Sequence, residues 1–226
     1  MLRHKLKRMH KTFVAESNKG MVEYLLGAGY ADARVADAML SMDRKAFVPP
    51  QYAEHAYDDY PLPIGYGQTI SAPSIVAVMS KELDVRKGMK ILEVGAGSGY
   101  QAAVLSYLVG ETGKVLTIER LSGVAELAKR NLANLGVKNV EVIYGDGTKG
   151  WQPEAPFDRV IVTAASPDIP KPLAEQLKEG GKLIIPVGST YWQDLVLIEK
   201  KGGALIRKDF LPVMFVPLIG EHGFKE

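Results

Sequence analysis

Apolar and polar residues follow two different periods along this chain. Up to residue 46 the apolar positions recur at helical spacing, and from residue 73 onward short apolar runs alternate with stretches of helical period. Such strict alternation implies parallel strands that are joined by right-handed helical crossovers. The predicted helices cover 12–28, 32–46, Ser74–Leu83, Tyr100–Val109, Ser122–Leu135 and Pro170–Lys178, and the predicted strands cover Met89–Val94, Lys114–Glu119, Val140–Tyr144, Arg159–Thr163 and Lys182–Val187.

The end of the chain has a different pattern. Two β-rich runs, Asp194–Lys200 and Leu205–Val216, are separated by a pair of glycines, which indicates a hairpin at one edge of the sheet. A second glycine pair, at 180–181, is expected to end the last predicted helix. The patterns together predict an α/β fold with a doubly wound, mostly parallel seven-stranded sheet, an N-terminal helical layer and a C-terminal β-hairpin.

Residues 51–72 follow neither period. This stretch is rich in proline, glycine, tyrosine and hydroxyl side chains, and it precedes Pro73, a residue favoured in a first helical turn. Long irregular segments in compact domains are usually either functional or disordered. The apolar and aromatic content of this segment is too high for a simple linker, which favours a functional role.

Composition and charge exclude some classes of function. The formal net charge of the 226 residues is +2, too small to argue for nucleic-acid binding. The chain has no cysteine, which excludes disulfides and thiolate chemistry, and its four histidines lack metal-ligand spacing. No apolar run approaches the roughly 18 residues of a membrane span. The basic stretch Leu2–Lys11 lacks the apolar centre of a secretory signal and is expected to be a solvated helix face, so the expected location is the cytoplasm.

A glycine-rich turn follows the first strand of the alternating region. From Ile91 to Tyr100 the sequence is Ile-Leu-Glu-Val-Gly-Ala-Gly-Ser-Gly-Tyr. A strand that runs into a glycine turn and then a helix brings backbone close to a nucleotide-like ligand. The dinucleotide pattern requires Gly or Ala where this chain has Tyr100. The spacing of Gly95, Gly97 and Gly99 is instead typical of adenosine cofactors without a pyrophosphate, above all S-adenosylmethionine.

Acidic residues follow the next two strands. Glu119 closes one strand, where a carboxylate can accept both hydroxyls of a ribose, and Asp146 follows the next, where it can accept from the adenine amine. A surface ion pair for Glu119 and a turn role for Asp146 are the structural alternatives. Glu93 lies inside an apolar strand, where a carboxylate is costly unless it is hydrogen-bonded. We expect it to bond the backbone of the glycine turn, with direct cofactor contact as the second possibility.

Six segments together point to one family. They are Leu62–Pro73, Leu92–Tyr100, Tyr144–Gly147, Pro156–Ala165, Leu177–Gly188 and Phe215–Leu218. On these segments the chain resembles the protein-L-isoaspartate (D-aspartate) O-methyltransferases, which are class I S-adenosylmethionine-dependent methyltransferases of Rossmann-like fold. The glycine turn and the strand-end acids occur in many methyltransferases, whereas Gln68-Thr-Ile-Ser-Ala-Pro73 separates this family from its relatives.

The resemblance implies a protein-repair reaction. A methyl group would pass from S-adenosyl-L-methionine to the free α-carboxylate of an isoaspartyl residue, and the family name extends this to D-aspartyl residues. The ester returns to a succinimide, part of which hydrolyses to normal aspartate. The expected partners are isoaspartyl proteins and peptides, without metal, nucleic acid or membrane, and the expected state is a monomer. A single methyltransferase domain would span 1–226, with helices and substrate loop in 1–72, the cofactor-binding core in 73–188 and the last strands in 189–226.

The resemblance also assigns roles to individual residues. Ser71 is the active-site residue, and its hydroxyl would donate to the substrate carboxylate. Its alternative role is to cap the helix that begins near Pro73, and the two roles can coexist because a helix start is an anion site. The expected cofactor-binding residues are Gln68, Thr69, Ile70, Ser71, Glu93, Gly95, Ala96, Gly97, Ser98, Gly99, Glu119, Arg120, Asp146 and Gly147, and the expected substrate contacts are Ile64, Gly65, Ser71 and Val216.

This reaction needs no general base. A free α-carboxyl group has a pKa of about 3.3–3.7 and is already ionised near neutral pH. The methyl donor is a sulfonium cation that is activated by its own charge. The expected task of the protein is therefore to align the oxygen, methyl and sulfur atoms, which can contribute roughly 7–11 kcal/mol in well-aligned cases.

Three other functions are alternatives. A nucleic-acid methyltransferase is disfavoured because Ala-Ala-Ser-Pro-Asp at 164–168 replaces the Asn/Asp-Pro-Pro-aromatic run that holds a base amine. A non-catalytic nucleotide-binding module on the same fold is disfavoured by the intact Gln68–Pro73 segment. An NAD-dependent oxidoreductase is disfavoured by Tyr100.

Overall fold

The computed structural model describes residues 13–225, so the basic stretch Leu2–Lys11 lies outside the described residues. The helices are α1 (Asn18–Gly27), α2 (Ala33–Ser41), α3 (Pro73–Leu83), α4 (Tyr100–Val109), α5 (Ser122–Asn134) and α6 (Lys171–Glu175). The strands are β1 (Leu62–Gly65), β2 (Gln68–Ile70), β3 (Lys90–Val94), β4 (Lys114–Glu119), β5 (Val140–Tyr144), β6 (Phe157–Val162), β7 (Leu177–Gly188), β8 (Gln193–Lys201) and β9 (Ala204–Val213).

Strands β3 to β9 form one sheet in the order β5-β4-β3-β6-β7-β8-β9. The five strands from β5 to β7 are parallel, and β8 and β9 extend the sheet as an antiparallel hairpin. This arrangement confirms the predicted fold. From β3 the strand order runs to β4 and β5 on one side and to β6 and β7 on the other. In open α/β sheets, ligands bind where the strand order reverses in this way, outside the carboxyl ends of the strands.

The two faces of the sheet bury different cores. Ile91 and Ile184 face the side that is covered by α1 to α5, and the residues next to them in each strand, Leu92 and Ile185, face the opposite side. That opposite side is covered by α6, through Leu173, and by loop segments that carry Trp151, Ile169 and Leu218. The near-continuous apolar runs of the central strands follow from burial on both faces.

Both N-terminal helices begin at side-chain caps and are shorter than their periodicity predicts. Ser17 Oγ accepts from the Gly20 N–H at 3.1 Å ahead of α1, and Asp32 Oδ1 accepts from the Val35 N–H at 2.9 Å ahead of α2. The first of these helices therefore starts at Asn18 rather than near residue 12. The second ends at Ser41, before a separate 3-10 turn over Arg44–Phe47.

The segment that was predicted to be irregular contains a small antiparallel hairpin, β1–β2, which corrects that prediction. Three consecutive residues at its turn, Gly65, Tyr66 and Gly67, have φ values of 90°, 54° and 69°. Leu62, Ile64 and Ile70 are buried against the domain. The hairpin thus carries the chain directly to Ser71 and the start of α3.

The helix predicted over Pro170–Lys178 is the least accurate prediction. Helix α6 ends at Glu175, and β7 already begins at Leu177. The glycine pair at 180–181 lies inside β7 at a bulge, because Phe157 pairs with Leu177 whereas Arg159 pairs with Lys182. Gly180, with a φ of 71°, allows this bulge and does not end a helix.

Candidate active site

A pocket lies at the carboxyl ends of β3, β4 and β6. Its walls come from the end of the β1–β2 hairpin, the glycine turn, the end of β4 and the segment after β9. It brings together the predicted residues Gln68, Thr69, Ile70, Ser71, Gly95, Ala96, Gly97, Ser98, Glu119, Arg120, Gly147 and Val216. Residues that are far apart in the sequence therefore line one pocket. This is required if the predicted cofactor-binding residues and Ser71 are to act on the same reaction.

The glycine turn is shaped by close packing. Gly95 has a φ of 97°, and a Cβ at this position would collide with the Thr163 hydroxyl, which donates to the Gly95 carbonyl at 2.7 Å. Gly99 has a φ of 88° and packs against Leu132 of α5. A Cβ on Gly147 would collide with Val94. Because these positions lack a Cβ, the chain segments that follow β3, β5 and β6 pack closely against each other, and their backbone forms the floor of the pocket.

The carboxylate of Glu119, at the end of β4, binds the backbone of the glycine turn. Its Oε2 accepts from the Gly97 N–H at 3.2 Å, and its Oε1 accepts from the Leu121 N–H at 3.1 Å. The side chain is buried yet lines the pocket. A carboxylate has about four lone-pair sites, so each oxygen can accept a further hydrogen bond from a ligand hydroxyl. The predicted position for a ribose is thus compatible with a diol ligand.

Glu93 does not bond the glycine turn, and that prediction is wrong. Neither carboxylate oxygen has a hydrogen-bond partner in the described part of the chain, and the side chain does not line the pocket. Alternation along β3 turns Glu93 to the same face as Ile91, beside Thr117 at the paired position of β4. Burial raises the pKa of Glu93 to about 8; the Thr117 hydroxyl opposes this rise, and the negative charge of Glu119 adds to it.

Asp146 lies just outside the pocket and anchors the end of the chain. Its Oδ1 accepts from the N–H and the hydroxyl of Thr148, at 2.9 and 2.6 Å, and its Oδ2 accepts from the Glu221 N–H at 2.9 Å. These hydrogen bonds keep its pKa below the ordinary value against the effect of burial. Asp146 borders a second cavity with Arg120 and Tyr144, and its contact with an adenine amine stays a prediction.

Ser71 is not a helix cap, which corrects the structural alternative for this residue. The Ser74 N–H at the start of α3 donates to Asp59 Oδ1 at 2.8 Å, and Ala72 occupies the capping position without a side-chain bond. Ser71 is half-buried and lines the pocket. Its hydroxyl makes no hydrogen bond to any residue within 13–225, so it is available to a ligand.

Asp59 is a further functional candidate, because its carboxylate accepts from the Ser74 N–H at the start of α3. It lies in the irregular loop before the hairpin, and its carboxylate reaches α3 across the intervening hairpin. The start of the same loop is bound by the buried Arg44, whose Nε donates to the Ala56 carbonyl at 2.8 Å. The signal available in the sequence was the absence of a capping side chain at Ala72, which requires a cap from elsewhere.

Two predicted substrate contacts, Ile64 and Gly65, are not among the residues that line the pocket. Ile64 is buried, its Cδ1 lies 3.8 Å from where a Cβ on Gly97 would be, and the residue does not line the pocket. Gly65 lies in the exposed hairpin turn. Their roles stay predictions.

The described residues that line the pocket offer few ionisable groups. Glu119, Arg120 and Tyr100 are the ionisable side chains among them, and burial raises the pKa of Tyr100 far above neutrality. No histidine or lysine within the described lining could take a proton near neutral pH. Within residues 13–225 no cluster of three acidic, histidine or cysteine side chains could hold a metal ion, and no helix there has the length and hydropathy to cross a membrane.

The fold and the site define a class of protein. A glycine-rich GxGxG turn after the central strand, with an acidic residue closing the neighbouring strand, is typical of S-adenosylmethionine-dependent methyltransferases. Residues 16–223 match the family model described as "Protein-L-isoaspartate(D-aspartate) O-methyltransferase (PCMT)". The chain therefore belongs to the protein-L-isoaspartate (D-aspartate) O-methyltransferase family and is a methyltransferase that depends on S-adenosylmethionine.

Relatives and solved structures agree with this placement. The chain is 53% identical over 209 residues to a protein-L-isoaspartate O-methyltransferase of Methanopyrus kandleri, covering 91% of this chain and 92% of that protein. A solved protein-L-isoaspartate O-methyltransferase superposes with a TM-score of 0.83 at 33% identity, covering 91% of this chain and 67% of that one. A Plasmodium falciparum homologue in complex with S-adenosyl-L-homocysteine superposes with a TM-score of 0.82 at 29% identity, covering 91% and 99%.

Proposed function

We propose that this chain methylates the free α-carboxylate of L-isoaspartyl residues in proteins and peptides, with S-adenosyl-L-methionine as the donor, and that Ser71 orients the carboxylate. One observation carries the proposal for the site. Ser71, within the family-specific segment Gln68–Pro73, lines the same pocket as the glycine turn and Glu119. A carboxylate held by Ser71 and a cofactor held by the turn would therefore meet within one cavity.

The residues of the pocket divide into two groups by chemistry. Glu119 and the backbone of the glycine turn suit the polar ribose and amino-acid parts of the cofactor, and Ile118 with Leu218 offers an apolar surface for the base. Ser71 faces the substrate. This division supports the proposed roles of 1–72, 73–188 and 189–226 in one domain.

The chemical step requires alignment rather than proton transfer. S-adenosylmethionine supplies an activated methyl group on a sulfonium centre. The substrate carboxylate arrives ionised, so the absence of a base among the described lining residues is no obstacle. Negative and positive charges cancel as the methyl group moves, which makes an apolar, partly closed pocket favourable for the reaction. Ile70 and Val216 contribute apolar side chains to the walls of the pocket.

Radiolabelled methyl transfer to a synthetic isoaspartyl peptide tests the proposed function. We expect incorporation into the isoaspartyl peptide and none into its aspartyl twin, because only the former presents a free main-chain carboxylate beside the isomerised link. An RNA pool serves as the control for the nucleic-acid alternative. Labelling of the RNA, or equal labelling of both peptides, would refute the proposal.

Asp59 is proposed to position Ser71 by fixing the start of α3. Asp59→Ala leaves the Ser74 N–H without its partner, and we expect kcat to fall several-fold while the protein loses about 1 kcal/mol of stability, the usual cost of a lost cap. Asp59→Asn keeps an acceptor oxygen and should recover most of kcat. The measurements are steady-state methyl transfer and denaturant unfolding.

Asp32 provides a control for the loss of a helix cap, because its Oδ1 accepts from the Val35 N–H at 2.9 Å at the start of α2. Asp32→Ala should lower stability to a similar degree without lowering kcat. If both alanine variants reduce kcat equally, the effect of Asp59 is one of stability alone and its positioning role is wrong.

The expected cellular setting belongs to the same proposal. Isoaspartyl proteins would be the partners, in the cytoplasm, and the chain would act as a monomer without binding nucleic acid or membrane. The small net charge of +2 supports the exclusion of nucleic acid.

A further inference from the structure

Three large apolar side chains are exposed at one corner of the sheet. Tyr191 and Trp192 lie in the turn between β7 and β8, with 86% and 65% of their surfaces exposed, and Met214 follows β9 with 81% exposed. Gln193 pairs with Val213, so Trp192 and Met214 are the next residues outward on the two neighbouring strands. We call these three residues the aromatic ledge. Contiguous exposed apolar surface commonly marks an interaction site.

The backbone beneath the aromatic ledge is fixed. Ser189 Oγ accepts from the N–H groups of Tyr191 and Trp192, at 3.2 and 3.1 Å, and the Ser189 N–H donates to the Trp192 carbonyl at 2.9 Å. Gly188 packs so closely under that carbonyl that a Cβ there would collide with it. The turn therefore holds its two aromatic side chains out from a rigid base, which lowers the entropy cost of binding through them.

A buried glutamine joins the aromatic ledge to the active-site pocket. Gln193 is 1% exposed; its Nε2 donates to the Ser189 carbonyl at 2.9 Å, and its Oε1 accepts from the Phe215 N–H at 2.8 Å. The next residue, Val216, lines the pocket and accepts from the Ala165 N–H at 2.8 Å. The aromatic ledge is thus connected to the wall of the pocket through Gln193, Phe215 and Val216.

We propose that the aromatic ledge binds an apolar side chain that flanks the isoaspartyl residue in the substrate polypeptide. The proposal rests on the proposed function. A substrate whose isoaspartyl residue is in the pocket must leave it on both sides, and an extended chain covers about 3.3 Å per residue, so residues a few positions away can reach the adjoining surface. The aromatic ledge carries no charge, which fits an apolar partner.

This surface would also select the state of the substrate. Most large apolar side chains are buried in folded proteins and become accessible in locally unfolded segments. An enzyme that gains affinity from them favours isoaspartyl residues in damaged, unfolded chain over those in intact surface loops. The recognised class is therefore an unfolded segment with an apolar residue near the isoaspartyl link, without a specific sequence.

The test compares isoaspartyl peptides that differ in one residue. In an otherwise polar peptide, a single leucine or tryptophan is moved from three positions before to three positions after the isoaspartyl residue, with serine as the reference. For at least one position we expect the wild-type KM to be about tenfold lower than for the serine peptide, as burial of one such side chain allows. In the double variant Tyr191→Ser/Trp192→Ser the ratio should approach one, with kcat unchanged.

Ile206→Ser is the matched control, because Ile206 is 50% exposed on β9 toward the opposite end of the strand from Val213. It should keep the wild-type KM ratio. An equal ratio in wild type and double variant overturns the proposal, as does a fall of kcat on the serine peptide. A dimer in sedimentation that the double variant abolishes, with the KM ratio intact, would assign the aromatic ledge to a second copy instead. Methyl transfer to none of the peptides by wild type would refute the proposed function itself.

Discussion

Replacing Ser71 with alanine is expected to lower kcat for an isoaspartyl peptide by about a hundredfold, the cost of a misplacement near 1 Å at a reacting centre. The dissociation constant for S-adenosylmethionine should change by less than about twofold, or under roughly 0.5 kcal/mol. Ser71 lines the pocket, and its hydroxyl bonds nothing within the described chain. Its loss therefore removes a contact to the substrate and leaves the glycine turn and Glu119 unchanged.

The expected effect of Ser71 is one of geometry rather than of charge stabilisation. A hydrogen bond to a carboxylate weakens as the oxygen loses its negative charge to the incoming methyl group. Ser71 therefore stabilises the reactant carboxylate at least as well as the transition state, and this electrostatic contact alone cannot accelerate the reaction. Holding the oxygen in line with the methyl group can. Ser71→Thr keeps the hydroxyl and should recover part of kcat.

Single-turnover methyl transfer at saturating peptide, combined with calorimetric cofactor binding, measures the two quantities separately. A Ser71→Ala variant with wild-type kcat would remove the residue from the active site. A variant that loses cofactor affinity in proportion to kcat would place Ser71 on the cofactor side of the pocket instead.

The parallel core was predictable because its signals are local. The bounds of α4, β4 and β5 agree with their predicted ranges, since each apolar run is bounded by glycine or polar residues. The β1–β2 hairpin was missed although the residues around Gly65 and Gly67 carry a hairpin signal, because its strands are too short to show a period. Gly180 was misinterpreted as a helix stop because a bulge and a helix end require the same backbone freedom.

Site residues that directly follow a strand could be predicted from the sequence. Site residues that depend on contacts between distant parts of the chain could not. Glu119 follows from its position after β4, and it lines the pocket as expected. Asp59 caps a helix across the β1–β2 hairpin, a contact that no local pattern encodes. The error at Glu93 has a similar cause. The sequence shows that a carboxylate is buried, whereas only the structure shows that Glu119 from the neighbouring strand makes the expected hydrogen bond.

Replacing Glu93 with glutamine is expected to stabilise the protein increasingly as the pH rises. Glu93 is fully buried without a hydrogen-bond partner in the described chain, and its pKa is raised from 4.5 to about 8. Well below pH 4.5 the carboxyl is protonated in both the folded and the unfolded states, so its titration does not change the free energy of unfolding. Between 4.5 and 8 the unfolded state releases the proton and the folded state keeps it, so the free energy of unfolding falls as the pH rises.

The size of this effect follows from the shift. Each pKa unit corresponds to 1.36 kcal/mol, so the destabilisation by Glu93 would reach on the order of 5 kcal/mol at pH 8 and stay constant above it. Glutamine carries no ionisable proton and should remove this slope. Urea unfolding of wild type and Glu93→Gln at pH 5, 6.5 and 8, without cofactor, should therefore show a small difference at pH 5 and the largest at pH 8.

Glu111→Gln is the control for loss of a carboxyl group as such, because Glu111 is exposed. A difference between wild type and Glu93→Gln that is the same at all three pH values would show that Glu93 is ionised in the folded protein. A protonated Glu93 has a consequence for the site as well. It leaves Glu119 as the negative charge at the adjoining strand end, so the carboxylate proposed to bind the cofactor is not weakened by a second charge beside it.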